Sequence, residues 1–212
     1  MEIIWYGHSC FRLKTRGAAV VTDPCGKDVG YSVPRLRADI VTISHDHPHY
    51  NNCGLVQGDP KIIDGPGEYE VKGVFITGIA TPLKRIKAPE RGKNILYLID
   101  FDGLKVCHLG GLDHVPAHAQ IEPFTDIDIL LIPVGAFTTI GAGQAAEIIS
   151  LLEPRIVVPM HYKTKATKLK LEPVTRFVRE MGLPEAGPRD SLDVDKNSLP
   201  SETQVVVLNY RE

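Results

Sequence analysis

The sequence predicts a layered α/β protein in which two packed sheets carry helices on their outer sides. Three observations predict it. Short strand-like runs crowd the first half of the chain, and strand and helix patterns alternate after residue 115. A near-continuous apolar run, Ile40–Ile43, reads as a strand covered on both faces. At 212 residues, 43% hydrophobic and 24% charged, the chain can bury roughly 70% of its unfolded surface, which suffices for one core. A single domain over 1–212 is expected.

The elements follow in order. Glu2–Tyr6, Cys10–Leu13 and Ala18–Thr22 are brief, β-branched or aromatic, and divided by Gly7 and Gly17. Further strands are predicted at Val74–Ile79, Ile95–Ile99 and Leu104–Cys107. Asp102-Gly103 between the last two signals a tight hairpin, because a type I′ turn needs positive φ. Ile127–Ile132 and Ile156–Val158 then alternate with helices over Gly143–Leu152 and Pro173–Met181. Ala145, Ala146, Ile148, Ile149 and Leu152 recur at helical spacing, and Glu153-Pro154 ends that helix, since proline cannot continue it. Pro184–Pro200 reads as a surface loop, and Gln204–Leu208 as a closing strand.

Charge narrows the function. With 24 basic and 26 acidic residues the net charge is −2, which excludes a general nucleic-acid or membrane-surface binder. Four cysteines, none spaced as CxxC, read as free thiols of a reducing cytosol. No secretory leader is visible and no apolar run approaches the ~20 residues of a membrane span. A cytoplasmic location is therefore expected.

The chemistry concentrates in histidines. His45, His47 and His49 alternate directly after the Ile40–Ile43 run. In an extended chain such residues point to one side, so their imidazoles would face one point beyond the strand end. Neutral imidazole is a common ligand of zinc, iron, copper and nickel.

Several segments carry a specific resemblance. Thr42-Ile43-Ser44-His45-Asp46-His47-Pro48-His49-Tyr50 is similar to the H-x-H-x-D-H signature of the metallo-β-lactamase superfamily. Trp5-Tyr6-Gly7-His8-Ser9-Cys10-Phe11, Thr22-Asp23-Pro24 and Val106–His114 resemble landmarks of its small metal-dependent hydrolase branch. Ile132-Pro133-Val134-Gly135 and Pro159-Met160-His161-Tyr162-Lys163 resemble two more, the second carrying the last metal histidine. The resemblance implies a four-layer αββα sandwich.

It also implies ligand positions, and several depart from the pattern. His45, His47 and His161 match. The signature aspartate is His49, its final histidine is Tyr50, the middle histidine falls near Leu83, and the bridging aspartate is Gly111. Two cations ~3.5–4 Å apart need anionic ligands between them, and two carboxylates are missing here. The expectation is one divalent transition metal on His45, His47, His49 and His161, with zinc first and iron, nickel or manganese as alternatives, or no metal at all. Asp113 and His114 are candidates for proton transfer. His8, Asp23, Tyr50 and His108 are expected around the pocket. The substrate would be a small molecule, anionic if the basic stretches Lys84, Arg85, Lys87, Arg91, Lys93 and Lys163, Lys165, Lys168, Lys170 border the pocket; the other reading of those stretches is solvated loop. Two functions stay open: a mononuclear hydrolase, and a non-catalytic relative serving as a ligand-binding or assembly module. Exposed strand edges and Pro-rich loops could support a homo-oligomer.

Overall fold

The computed structural model describes residues 1–84, 92–183 and 187–212. The N-terminal half supplies β1 (Glu2–Trp5), β2 (Phe11–Lys14), β3 (Ala19–Thr22), β4 (Leu36–Arg37), β5 (Ile40–Thr42), β6 (Val56–Gln57) and β7 (Lys61–Ile63). A meander follows, of β8 (Gly67–Val71), β9 (Val74–Pro82), β10 (Lys93–Phe101) and β11 (Leu104–His108). The last part alternates α1 (His118–Ile121), β12 (Ile129–Pro133), α2 (Ala142–Leu152), β13 (Ile156–Met160) and α3 (Val174–Glu180), then closes with β14 (Leu192–Asp193) and β15 (Gln204–Val205).

The strands form a six-stranded sheet, β14-β1-β2-β3-β5-β7, and a seven-stranded sheet, β15-β13-β12-β11-β10-β9-β8, with β4 and β6 paired apart. Period-2 alternation packs them. Ile3, Trp5, Leu13, Val20 and Ile40 enter the main core with the seven-stranded sheet, while Ile4, Val21 and Val41 turn to the opposite face. β12 and β13 are buried along their whole length, as parallel strands covered on both faces are. Ala145, Ile148, Ile149 and Phe177 of α2 and α3 belong to the same core. Single 3₁₀ turns at Lys27–Val29 and Cys53–Leu55, with their flanking loops, cover the other sheet, where Val29, Tyr31 and Val33 meet Val41 and Val56.

Predicted elements recur with small boundary shifts. Asp102 and Gly103 have φ of 57° and 75° in the hairpin where Phe101 pairs with Leu104. Lys72-Gly73 makes an equivalent turn between β8 and β9 that lysine does not advertise. The Pro184–Pro200 loop contains β14 and a 3₁₀ turn capped by Asp195; residues 184–186 lie outside the described residues. The closing strand is shorter than expected. All four cysteines are free. Among the described residues no helix is long and apolar enough to cross a membrane.

One strand ties the sheets together where the histidines gather. Tyr97 of β10 donates its hydroxyl to the carbonyls of Ile43 and Ile63, at 2.9 and 3.0 Å, across the sandwich. Ile95 N–H reaches the Ser44 carbonyl at 2.8 Å.

Candidate functional site

The histidine loop leaves β5 under the control of Asp23. This buried carboxylate accepts the Ser44 N–H at 2.7 Å and the Ser44 hydroxyl at 2.6 Å, which locks the loop's first residue. Burial raises the Asp23 carboxyl to about 7 against those bonds. Beyond Ser44 the chain turns and does not extend. His47 N–H bonds the His45 carbonyl, and Tyr50 and Asn51 N–H both return to the His47 carbonyl. Alternate histidines do face one cavity as expected, but on a coiled backbone and not the extended one that the spacing assumed. The His45 and His47 rings lie parallel at 5.9 Å, and His47 meets His49 edge-on at 4.4 Å.

His161 enters from the end of β13 and His8 from the turn after β1. The His161 N–H bonds the His8 carbonyl at 3.0 Å, and their rings sit 4.2 Å apart. Burial lowers His8 well below the ordinary imidazole value and His161 to about 4, so both are neutral. Neither His8 nitrogen nor His161 Nδ1 has a hydrogen-bond partner among the described residues. The Tyr50 hydroxyl lies 3.3 Å from His161 Nε2.

The third edge is the loop after β11. Buried Asn94 holds it with both ends of its amide: Oδ1 accepts the Gly111 N–H at 2.8 Å and Nδ2 donates to the Leu109 carbonyl at 3.0 Å. A Cβ on Gly111 would stand 3.0 Å from Tyr50 Oη and 3.2 Å from its Cζ. The phenol fills the room a side chain at 111 would need.

These residues enclose a cavity of about 450 Å³. His45, His47, His49, Tyr50, Gly111 and His161 form its floor. Leu83, Phe137, Leu169 and Leu171 form an apolar wall, with Thr138 and Lys170 at the rim. Leu83, the position matched to the missing histidine, is thus part of the lining. Arg85, Lys87 and Arg91 lie outside the described residues. No carboxylate lines the cavity among the described residues.

The remaining candidates sit around this floor. Asp113 and His114 are both buried and bond each other, Oδ1 to Nδ1, at 2.8 Å, but neither is among the lining side chains. His108, driven to about 4 by burial, donates Nε2–H to the Ser9 carbonyl at 3.0 Å. His49 Nε2 pairs with Asp28 at 3.0 Å. Sequence reasoning missed Phe137, Leu169 and Leu171, since nothing in Ala136-Phe137 announces the backbone that carries that ring to the pocket.

Imidazoles gathered on one cavity are donors of the kind a divalent transition ion takes. His45 donates Nδ1–H to the Lys93 carbonyl at 3.0 Å, which leaves Nε2 with a lone pair, as a metal ligand requires. Gly111 brings no carboxylate to the floor, and Tyr50 stands against it. His47 Nδ1 accepts the His49 N–H at 3.2 Å, and among the described residues no three His, Cys, Asp or Glu side chains converge as a ligand set. Closure on a single ion therefore requires imidazole rotation.

Comparison with known proteins gives the family. A model of the beta-lactamase superfamily domain matches residues 2–161. A candidate Zn-dependent hydrolase of the metallo-beta-lactamase superfamily from Thermotoga maritima is 41% identical, with a TM-score of 0.80 over 98% of this chain and 97% of that one. A UPF0173 protein of Pyrococcus abyssi is 32% identical, covering 77% of this chain and 84% of its own length. A UPF0173 metal-dependent hydrolase of Pyrobaculum arsenaticum is 28% identical, with 77% and 85% covered.

Proposed function

This chain belongs to the beta-lactamase superfamily domain family, and on that footing we propose that it is a metal-dependent hydrolase working with a single divalent ion. The observation that carries this reading is that His45, His47 and His161 line one cavity that no carboxylate lines among the described residues, with His161 kept neutral by burial. Those three residues would hold the ion, with zinc first and iron, nickel or manganese as alternatives. When bound, such an ion polarises a water or a carbonyl for hydrolysis.

The protein's own groups have separate tasks. Tyr50, whose phenol burial keeps protonated, is a hydrogen-bond donor toward negative charge developing on the substrate. His45 is oriented by the Lys93 carbonyl. The apolar wall excludes water from the floor. His114, with Nδ1–H committed to Asp113, keeps Nε2 available as a base, but its place outside the lining favours Tyr50 for direct contact.

Metal content tests the proposal. Tag-free protein analysed by inductively coupled plasma mass spectrometry should carry about one equivalent of a transition metal. His161→Ala and His47→Ala should lose it while keeping their circular dichroism spectra. A protein that stays without metal when offered zinc, iron, nickel and manganese would overturn the reading, as would two equivalents.

A further inference from the structure

Backbone strain marks a second part of the cavity. Nine non-glycine residues among those described hold positive φ, a conformation that costs on the order of 1 kcal/mol or more each. Lys72 and Asp102 sit in tight hairpins, Glu153 ends α2, and Asp126 is of a type that tolerates this region. His8, Asp23 and His161 belong to the site just described. Ala136 and Phe137, at 58° each, are consecutive and of types that avoid this conformation.

The loop is held in that shape from several sides. Ala136 N–H bonds the Ile140 carbonyl at 3.1 Å, and the Gly135 carbonyl accepts the Glu172 N–H at 2.8 Å. A Cβ on Gly135 would run into the carbonyl oxygen of His161. The result is a phenyl ring 48% exposed at the cavity mouth, with Lys170 Nζ 5.2 Å from its centroid. Backbone strain of this kind gathers at ligand clamps, and here it sets a large apolar ring at the cavity mouth.

We infer that Phe137 and Lys170 are the recognition rim for an amphipathic carboxylate, a small organic acid with an apolar chain or ring. Among the described residues Lys170 is the one permanently charged side chain lining the cavity, and no carboxylate pairs with it. Leu83, Leu169 and Leu171 continue the apolar surface from Phe137 toward the imidazole floor. The ligand's carboxylate meets the ammonium while its body lies along the wall. An organic cation is repelled, and a polyanion gains nothing from a leucine wall in a cavity sized for a small molecule. As a ligand site this stands alone; as a substrate class it rests on the hydrolase reading.

Calorimetric titration of the full metal-free chain with octanoate, octanol and octylamine tests it. Octanoate should bind roughly tenfold or more tighter than octanol, and octylamine should not bind. Lys170→Met should bring octanoate down to octanol. Phe137→Gly should weaken octanoate and octanol alike while melting no lower than the parent, since glycine relieves the strained φ; a purely structural ring would lower the melting temperature instead. Equal binding of octanoate and octylamine, no octanoate binding, or full affinity in both variants would overturn the inference. Because the assay contains no metal, its failure leaves the hydrolase reading standing. Octanoate binding by a chain that refuses metal would support the rim and remove the hydrolase.

Discussion

Tyr50 and Gly111 meet across the cavity floor as a fitted pair, the phenol standing where a side chain on residue 111 would have to go. Restoring one without the other should therefore fail. Gly111→Asp alone is expected to cost about 1–3 kcal/mol through overpacking against the ring, and to leave metal content unchanged. Adding Tyr50→His should recover most of that loss, and adding His49→Asp as well should raise metal content above one equivalent. Denaturant melts and elemental analysis check this; additive losses would mean the two residues do not share the volume. The sequence marked both positions as departures but not their reciprocity, because contact between distant positions is a property of the fold. It brought His45, His47 and His49 to one cavity on the wrong backbone, for a simpler reason. Spacing by two orients side chains only in extended backbone, and this loop coils back on the His47 carbonyl.

β10 does the positioning at the level of elements. Through Asn94 it holds the Gly111 loop, through Ile95 the first residue of the histidine loop, and through Tyr97 the ends of β5 and β7. Tyr97→Phe should cost about 1–3 kcal/mol, because the Ile43 carbonyl loses the hydroxyl while the Ile63 carbonyl keeps only the Ile43 N–H. It should also lower metal affinity without touching a ligand. Chemical melts and zinc titration measure the two effects, and an unchanged affinity would show that the strand end needs no such tie. The strands with clear apolar character, such as β5, β12 and β13, were legible from pattern alone. β8 was not, because Gly67–Val71 carries two glutamates along a mostly exposed edge strand, so burial imposed no alternation on it. β7 escaped because three residues are too few for periodicity to register.

The whole molecule has an acid limit and an alkaline limit written into its buried groups. His108 and His161 titrate at about 4 when folded and 6.5 when unfolded, and His8 is lowered in the same direction. As pH falls through that window the unfolded chain takes up protons that the folded chain refuses, so stability drops, on the order of 3 kcal/mol for each of His108 and His161. Asp23 runs the other way. Its folded value of about 7 lies above the unfolded 3.8, so its contribution is present in acid and disappears as pH rises through about 7. The melting temperature of metal-free protein should climb between about pH 4.5 and 6, peak near 6.5, and decline slightly by about 8. Asp23→Asn should remove the alkaline decline and steepen the acid climb that Asp23 opposes, and a level profile across the acid range would contradict the buried neutral histidines. A last consequence concerns how such a protein can change. Gly135 rests on the His161 carbonyl and bonds Glu172, so the mouth and the floor of the cavity are built on the same backbone. Lengthening the mouth loop would drag His161 with it. In this chain the mouth is therefore easier to alter by exchanging single side chains such as Phe137 and Lys170 than by inserting residues.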